Sequence, residues 1–381
     1  MRIFYVISNR NGLESFIHRE MRLTKEAGND VVALSFYKNR DNHFKLDSIP
    51  EYVAISPINV VLGIIELLKS FLIFKRLRII LEYLRLSGVN GIIDVIMALF
   101  FSKYIDNGSF IQCHFGDRKF FVGTLIKELK PQSTLGLTVH AHELYANPNL
   151  KLFKACLLKA DKIVTISGLN KKLLLDIQPK LSPREVRVIY LSIDLGLFKA
   201  NHNGIKVLTV SRFTERKGFR ELFEAIKILS NPNIEFICVG WGDLDLLRLA
   251  KEYGVEESIT VYNKMSSKQL QHFYSTCDIF CLPSKSTETE GSEGIPVVLM
   301  EAMASEMQVV TTTNGSIPEL VDSVIVPEDN AVELAKGLLK AIEIHSDFEM
   351  RSSIGVKNRE KVLRQFSGSN HQELLNYWKN D

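Results

Sequence analysis

The chain has 381 residues, 47 lysines and arginines against 44 acids, a formal net charge of +3, and 46% hydrophobic residues. That length is enough for two domains with separate cores, the balance is that of a globular protein, and so small a charge gives no global argument for nucleic acid as a partner. The five cysteines, Cys113, Cys156, Cys238, Cys277 and Cys281, lack the paired spacing of a zinc site and are expected to be reduced core thiols of a cytosolic protein. Met1-Arg2 leads directly into an apolar strand, so no signal peptide is expected. Each apolar run meets a charge before the ~18 residues that a spanning helix needs.

Arg2 to Ile7 reads as a strand, Ser8 to Gly12 as a loop, and Leu13 to Ala27 as a helix ended by Gly28-Asn29-Asp30; Val31 to Phe36 is a second strand. This βαβ opening predicts a parallel sheet that binds ligands at the C-terminal ends of its strands. Residues 58–105 are rich in Ile, Leu and Phe and are interrupted by Lys69, Lys75, Arg76, Arg78 and Arg85. At about 100° per residue Lys69 and Arg76 share a direction, but Lys75 and Arg78 point elsewhere. Two readings therefore stay open: basic, apolar helices lying on a membrane surface, or a pair of core helices with snorkelling basic side chains.

Phe110 to Gly116 and Gly136 to Glu143 each hold an apolar run that stops at a histidine, which places His114 and His140 at strand ends. Lys151 to Ala160 reads as a helix, Asp161 to Ser167 as a strand and Val186 to Tyr190 as another, and polar Lys199 to Gly204 is the expected linker. The pattern then restarts. Ile205 to Val210 is a strand followed by a Ser211 to Gly218 turn, and Ile234 to Val239 is a strand ending in a Gly240-Trp241-Gly242-Asp243 turn. Asp243 and Asp245 fit a helix start, where the dipole accommodates acids. Ser258 to Tyr262 and Asp278 to Pro283 are further strands, and Ala331 to about Phe366 is helical.

Within Ser284 to Val321, Glu293-Gly294-Ile295-Pro296 opens a short apolar helix over Val297 to Ala304, with Pro296 suited to a first helical position. The N–H groups of that turn have no intrahelical partners, and the helix dipole favours negative charge there. Eight helical residues span roughly 12 Å at about 1.5 Å each, so Glu293 and Glu301 are able to grip two ends of one elongated ligand. Val309-Val310 and the turn Gly315 to Glu319 follow.

In that order, Glu293, Glu301, Ala302-Met303-Ala304, Val309-Val310 and Gly315-Ser316-Ile317-Pro318-Glu319 resemble the signature of retaining glycosyltransferases of family 4. The resemblance implies an α/β protein of the GT-B fold, with two Rossmann-like parallel-sheet domains facing across a cleft. Residues 1–199 would form the acceptor-binding domain, with a C-terminal helix in 367–381 packing back on it, and 205–366 the nucleotide-sugar-binding domain. Thr138 to Glu143 resembles the family's Thr-x-His-x-x-Asp/Glu segment, which puts His140 near the reacting centre and leaves the role of Glu143 open. Ser211 to Gly218 resembles its Gly-Arg-x-x-x-x-Lys-Gly turn, which gives Arg212 and Lys217 the leaving diphosphate to neutralise.

By the same resemblance Glu293 is catalytic and meets the sugar hydroxyls, and Glu301 meets the ribose. Gly12, Gly240, Gly242, Asn263, Gly294, Ile295, Pro296 and Val297 complete the donor contacts, and Asn11, Glu14, His114 and His142 serve the acceptor. The implied reaction moves a sugar from a UDP- or GDP-linked donor to a glycan or lipid-linked acceptor in cell-surface polysaccharide synthesis, with no cofactor and no metal ion. The implied place is the cytoplasm, at the inner face of an anionic membrane contacted through 58–105. The chain departs from the pattern at Ser211, at Ser192 and at Glu306-Met307-Gln308, where a Gly-x-Pro is usual. A non-catalytic relative serving as a partner subunit is the alternative. A nicotinamide enzyme is disfavoured because Asn9 to Glu14 lacks the three-glycine fingerprint. A sugar-nucleotide epimerase would not need the Glu293 and Glu301 arrangement.

Overall fold

The computed structural model describes every residue except 10–12, 39–45, 47, 148, 195–204, 232 and 380–381, and the side chain at 267. The first of two parallel sheets comprises β1 (Arg2–Ile7), β2 (Asp30–Ser35), β3 (Glu51–Val53), β4 (Phe110–His114), β5 (Thr134–Val139), β6 (Lys162–Thr165) and β7 (Val186–Val188), in the order β3-β2-β1-β4-β5-β6-β7. The second comprises β8 (Lys206–Phe213), β9 (Glu235–Gly242), β10 (Ile259–Tyr262), β11 (Ile279–Leu282), β12 (Gln308–Thr312) and β13 (Val324–Val326), in the order β10-β9-β8-β11-β12-β13. Helices cover both faces of such sheets, which is why β1, β4 and β11 are nearly continuous apolar runs with both faces buried. In each sheet the chain leaves the first strand in one direction and later returns to its other side, so β1/β4 and β8/β11 are switch points.

Two compact units follow from this: Met1–Ile166, Asn170–Ile189 and His371–Asp381 form one, and Ser167–Leu169 with Tyr190–Asn370 the other. The expected linker, 199–204, lies outside the described residues. The last helix, Gly368–Lys379, sends Leu374, Leu375 and Trp378 into the first unit's core beside Ile3, Tyr5 and Phe110. The first helix, Ser15–Glu26, buries Ile17, Glu20, Met21 and Thr24 on one face, so a carboxylate sits in the row meant for apolar side chains.

Several local expectations are corrected. The 58–105 stretch makes three helices, Pro57–Ser70, Phe74–Ser87 and Gly91–Phe101; the third is mostly buried, whereas the first two and the break between them expose Leu68, Phe71, Leu72 and Phe74. Among the described residues no single helix is long and apolar enough to cross a membrane, and the first two of these helices are bent by 113° at their break. The helical stretch from Ala331 is broken at Asp347, whose carboxylate caps Phe348–Gln365 by accepting from Met350 N–H at 3.0 Å. Ser211-Arg212 and Gly240 to Gly242 are paired strand and not turn, in the register Ser211 to Gly240, Arg212 to Trp241 and Phe213 to Gly242. Pro296 sits just before the Val297–Ala304 helix in extended backbone, at its cap and not at its first helical position. Glu306, where a glycine is usual, adopts a left-handed φ of 60°.

Gly218 joins the turn bearing Lys217 to the Phe219–Leu229 helix with φ +69°, and a Cβ there would lie 1.9 Å from the Pro283 carbonyl oxygen. Gly254 has the same conformation, φ +70°, with nothing within 4 Å of a Cβ. Gly254→Ala is expected to cost about 1 kcal/mol from backbone conformation alone. Gly218→Ala should cost roughly 2 kcal/mol more, because the β11 loop must move. Urea denaturation of the two variants measures the difference, and equal costs would show that the turn is not pinned against Pro283.

Candidate active site

The C-terminal ends of β8 and β11 set the geometry in the second unit. A 3-10 turn at Glu215–Lys217 follows β8, and Ser284 lies just past β11. Between them sits the Glu293 carboxylate, buried. Lys217 Nζ donates to its Oε1, Ser284 Oγ donates to the same oxygen at 2.9 Å, and Arg216 Nη1 stands 3.5 Å from Oε2. Arg216 also donates to the Ser292 carbonyl at 3.2 Å, while its Nε has no hydrogen-bond partner among the described residues.

The backbone of Glu293 is held as firmly as its side chain. Its N–H donates to Asn314 Oδ1 at 2.8 Å and its carbonyl accepts from Ser316 N–H at 3.1 Å. Between those two residues, Gly315 has φ +55°, and a Cβ there would lie 2.0 Å from the Glu293 carbonyl oxygen, so the position requires glycine on both counts. Burial alone would push the Glu293 carboxyl up, but Lys217, Arg216 and the Ser284 hydroxyl outweigh it and leave the group below the ordinary carboxylate range. The side chains of Lys217 and Arg216 are 12% and 20% exposed, so this is an inside pair where loss of one partner strands a charge.

The Val297–Ala304 helix starts four residues past Glu293 and has no side-chain cap, so its first N–H groups are left for an outside acceptor. Gly294, Ile295 and Pro296 are buried, and Val297 is partly so. Glu301, one turn from the far end, accepts from the Tyr274 hydroxyl at 2.9 Å. Arg212 is exposed and lies over the Trp241 ring at 4.9 Å, and Lys264 lies over the same ring at 5.7 Å. Asn263 is exposed just past β10. A Cβ at Gly240 or Gly242 would meet the Ser211 or Phe213 carbonyl at 1.8 or 2.2 Å, so strand pairing already requires both glycines.

In the first unit, His114 ends β4 and His140 follows β5. His114 Nε2 is 3.0 Å from Glu20 Oε1, and His114 Nδ1 is 3.2 Å from His140 Nε2; all three side chains are buried. Burial first, then the neighbouring His114 ring and the Lys119 ammonium, hold His140 well below the usual histidine value, so its ring is neutral at neutral pH. Glu143 explains the bend between them: its Oε1 accepts from the N–H groups of His140 at 2.7 Å and Gly116 at 3.0 Å. Burial nevertheless pushes that carboxyl up to about 7.

The structure thus brings Lys217 to Glu293 and His114 to His140. Glu14 and His142 are exposed and take no part in the histidine chain, and Asn11 and Gly12 lie outside the described residues. Four contributors were missed. Arg216 adjoins a motif residue and reads as an exposed basic turn, and Ser284 and Asn314 carry no spacing signal. Glu20 had one: it falls three residues after Ile17, on the apolar row of its helix.

Residues 198–361 match the family described as Glycosyl transferases group 1, so most of the second unit is a domain of that kind. The two Rossmann-like parallel sheets make the fold GT-B. A protein of Salmonella typhimurium, provisionally named as the colanic acid biosynthesis glycosyltransferase WcaL, is 33% identical over 199 residues, covering 49% of this chain and 48% of its own. The amylovoran biosynthesis glycosyltransferase AmsK of Erwinia amylovora is 34% identical over 162 residues, covering 40% of each chain. The chain therefore spans half the length or less of these curated relatives. Among solved structures, HepE of Anabaena in complex with UDP and glucose has a TM-score of 0.76 at 16% identity, over 100% of this chain and 99% of its own, which is a likeness of fold.

Because the folded-state value of Glu293 lies below 4.5, its pairing contributes stability in full above about pH 4.5 and loses it as pH falls through the folded value. Lys217→Met should cost about 3 kcal/mol near pH 7, with the cost shrinking below pH 4.5 as the stranded carboxylate is protonated. Urea midpoints of both proteins across that range measure it. A cost that stays constant with pH would exclude the pair as its source.

Proposed function

We propose that the protein is a retaining glycosyltransferase that moves a sugar from a UDP- or GDP-linked donor to a hydroxyl of a glycan or lipid-linked glycan, in assembly of a cell-surface polysaccharide. The observation that carries the reading is the Lys217–Glu293–Arg216 cluster at the β8/β11 switch point of a glycosyl transferases group 1 domain. Names of relatives that refer to colanic acid and amylovoran biosynthesis support the polysaccharide setting.

Breaking a sugar–phosphate bond builds negative charge on the leaving oxygen, and fixed cations aimed at that oxygen stabilise the transition state. Lys217 and Arg216 outnumber the one carboxylate between them, and Arg212 and the uncapped helix N-terminus add positive potential. These groups serve the leaving diphosphate, which is why no metal ion is invoked. Glu293 Oε2, whose charged neighbour stands 3.5 Å away, is the oxygen that accepts from the sugar hydroxyls, and the Glu301 carboxylate meets the ribose. With Oε1 already accepting from Lys217 and Ser284, Glu293 is a poor nucleophile, which supports same-face attack with the departing phosphate taking the acceptor proton. His140, neutral and buried, serves the reacting sugar as a hydrogen-bonding group and not as a charge.

The reaction is placed in the cytoplasm at an anionic membrane. Ile58, Leu68, Leu72 and Phe74 are exposed on Pro57–Ser70 and Phe74–Ser87 or the break between them, with the exposed Lys75 and Arg78 on the second helix. Apolar contact plus basic charge suits an interface with acidic lipid.

Incubation of the chain with a lipid-linked glycan and each of a set of UDP- and GDP-sugars is expected to release one nucleoside diphosphate, unchanged by EDTA, and to give a product whose NMR spectrum shows a retained anomeric centre. Glu293→Gln should lower that turnover roughly 100-fold. Absence of release with every donor, or full turnover by the variant, would refute the reading. For the membrane, replacing Leu72 and Phe74 together by serine is expected to leave the protein in the supernatant where wild type pellets with phosphatidylglycerol vesicles at low salt. Wild type that stays soluble at low salt counts against the contact.

A further inference from the structure

The Glu20–His114–His140 chain has a direction. A carboxylate only accepts hydrogen bonds, so at 3.0 Å from Glu20 Oε1 the proton belongs to His114 Nε2. With that one proton on the His114 ring its Nδ1 is bare, and it accepts at 3.2 Å from His140 Nε2–H. The proton on His140 is thereby assigned to Nε2 and its Nδ1 keeps a lone pair, with no hydrogen bond from the described residues. We propose that Glu20 and His114 are positioning residues: they fix the tautomer of His140 so that its Nδ1 accepts a hydrogen bond from a hydroxyl of the reacting sugar or acceptor. This rests on His140 belonging to the active site, as proposed above.

Everything around the ring serves orientation. The His140 N–H is held by Glu143 at 2.7 Å and its carbonyl by Asn170 Nδ2 at 2.9 Å. The rings of Phe16 and Phe115 stand 4.8 and 4.4 Å from it, and Phe115 holds a left-handed φ of 67°, an unfavourable conformation for a bulky residue. The Phe115 N–H donates to the Thr138 carbonyl at 3.0 Å, which pins that backbone between the two histidine strands. A buried carboxylate on the apolar row of the Ser15–Glu26 helix costs stability, and the His114 bond is what the position provides in return. Other titratable groups face the chain: Tyr5, whose hydroxyl is raised by burial and by Glu20; His371, bonded through Thr24; and Lys119, over the Phe115 ring at 5.0 Å. Lys119 and burial both oppose charge on His140, which keeps Nδ1 an acceptor.

Long-range proton–nitrogen NMR of the imidazoles in the full chain tests the assignment, with His140→Gln identifying the signal. Wild type is expected to show His114 and His140 both with protonated Nε2 and bare Nδ1. Glu20→Gln offers His114 an N–H donor as well as a carbonyl, so both rings should shift toward the other tautomer. Turnover should then fall about tenfold or more. The KM for the donor should stay within about twofold, and Glu20→Asp should recover part of the rate. A protonated Nδ1 on His140 in wild type, or a Glu20→Gln protein that keeps both tautomer and turnover, overturns the proposal. The spectrum decides it even for a chain that transfers no sugar, so failure of the enzymatic reading and failure of the relay are told apart.

Discussion

A carboxylate enclosed by two cations and a hydroxyl governs how the second unit can be built. Glu293 is buried, and an ion in such a place is tolerable only when its partners are fixed in advance. Lys217 and Arg216 are fixed by a turn whose exit at Gly218 has no room for a Cβ beside the Pro283 carbonyl, and Ser284 lies just past the strand on the other side of the switch point. Asn314 and Gly315 close the cradle from beneath. These residues come from the segments that follow three different strands, so the cluster exists only when β8, β11 and β12 are in register. The group that the proposed chemistry needs most is also the one that checks the fold.

The two switch points share a topology and differ in their electrostatics. At β8/β11 the chain concentrates positive charge around one acid. Beside β1/β4 it places two imidazoles in series behind a carboxylate, with burial and Lys119 keeping the outer ring uncharged. A cationic cluster suits a group that leaves with negative charge, and a neutral acceptor suits a hydroxyl, which needs direction more than field strength. The same βαβ logic thus yields two chemically distinct ends, and the difference lies in the few side chains gathered near equivalent strand termini.

Long apolar runs made much of this legible from the residues. β1, β4 and β5 end at the places where the hydrophobic pattern stops, because a parallel strand buried on both faces has no polar alternation to blur its limits. The Val297–Ala304 helix has the bounds its turn signals imply. Glycine was the weakest guide. Gly240 and Gly242 read as a turn but are paired strand, since what they accommodate is the carbonyl of a neighbouring strand nearly thirty residues earlier, a contact no local pattern encodes. Arg216 failed for the same reason: its partner Glu293 is 77 residues away. Glu20 was the opposite case, a charge out of phase with its own helix, visible locally but without meaning until His114 stood beside it.

The 58–105 stretch gave mixed periodicity because it is two kinds of surface in one sequence. Gly91–Phe101 packs mostly into the core and is apolar nearly all round, with Ile92 and Ile93 at its surface. Pro57–Ser70 and Phe74–Ser87 meet at a sharp bend whose corner, Leu72 and Phe74, is 87% and 82% exposed. Glu66 gathers Lys69, Arg76 and Lys103 within 4.0 Å, which leaves Lys75 and Arg78 on other sides of the wheel to carry the outward charge. Apolar surface left in water carries a penalty of about 25 cal/mol per Å², and a folded chain free to bury these side chains would gain from doing so. That the bend projects them, with basic residues alongside, is the arrangement in which acidic lipid would relieve the penalty and the charge together.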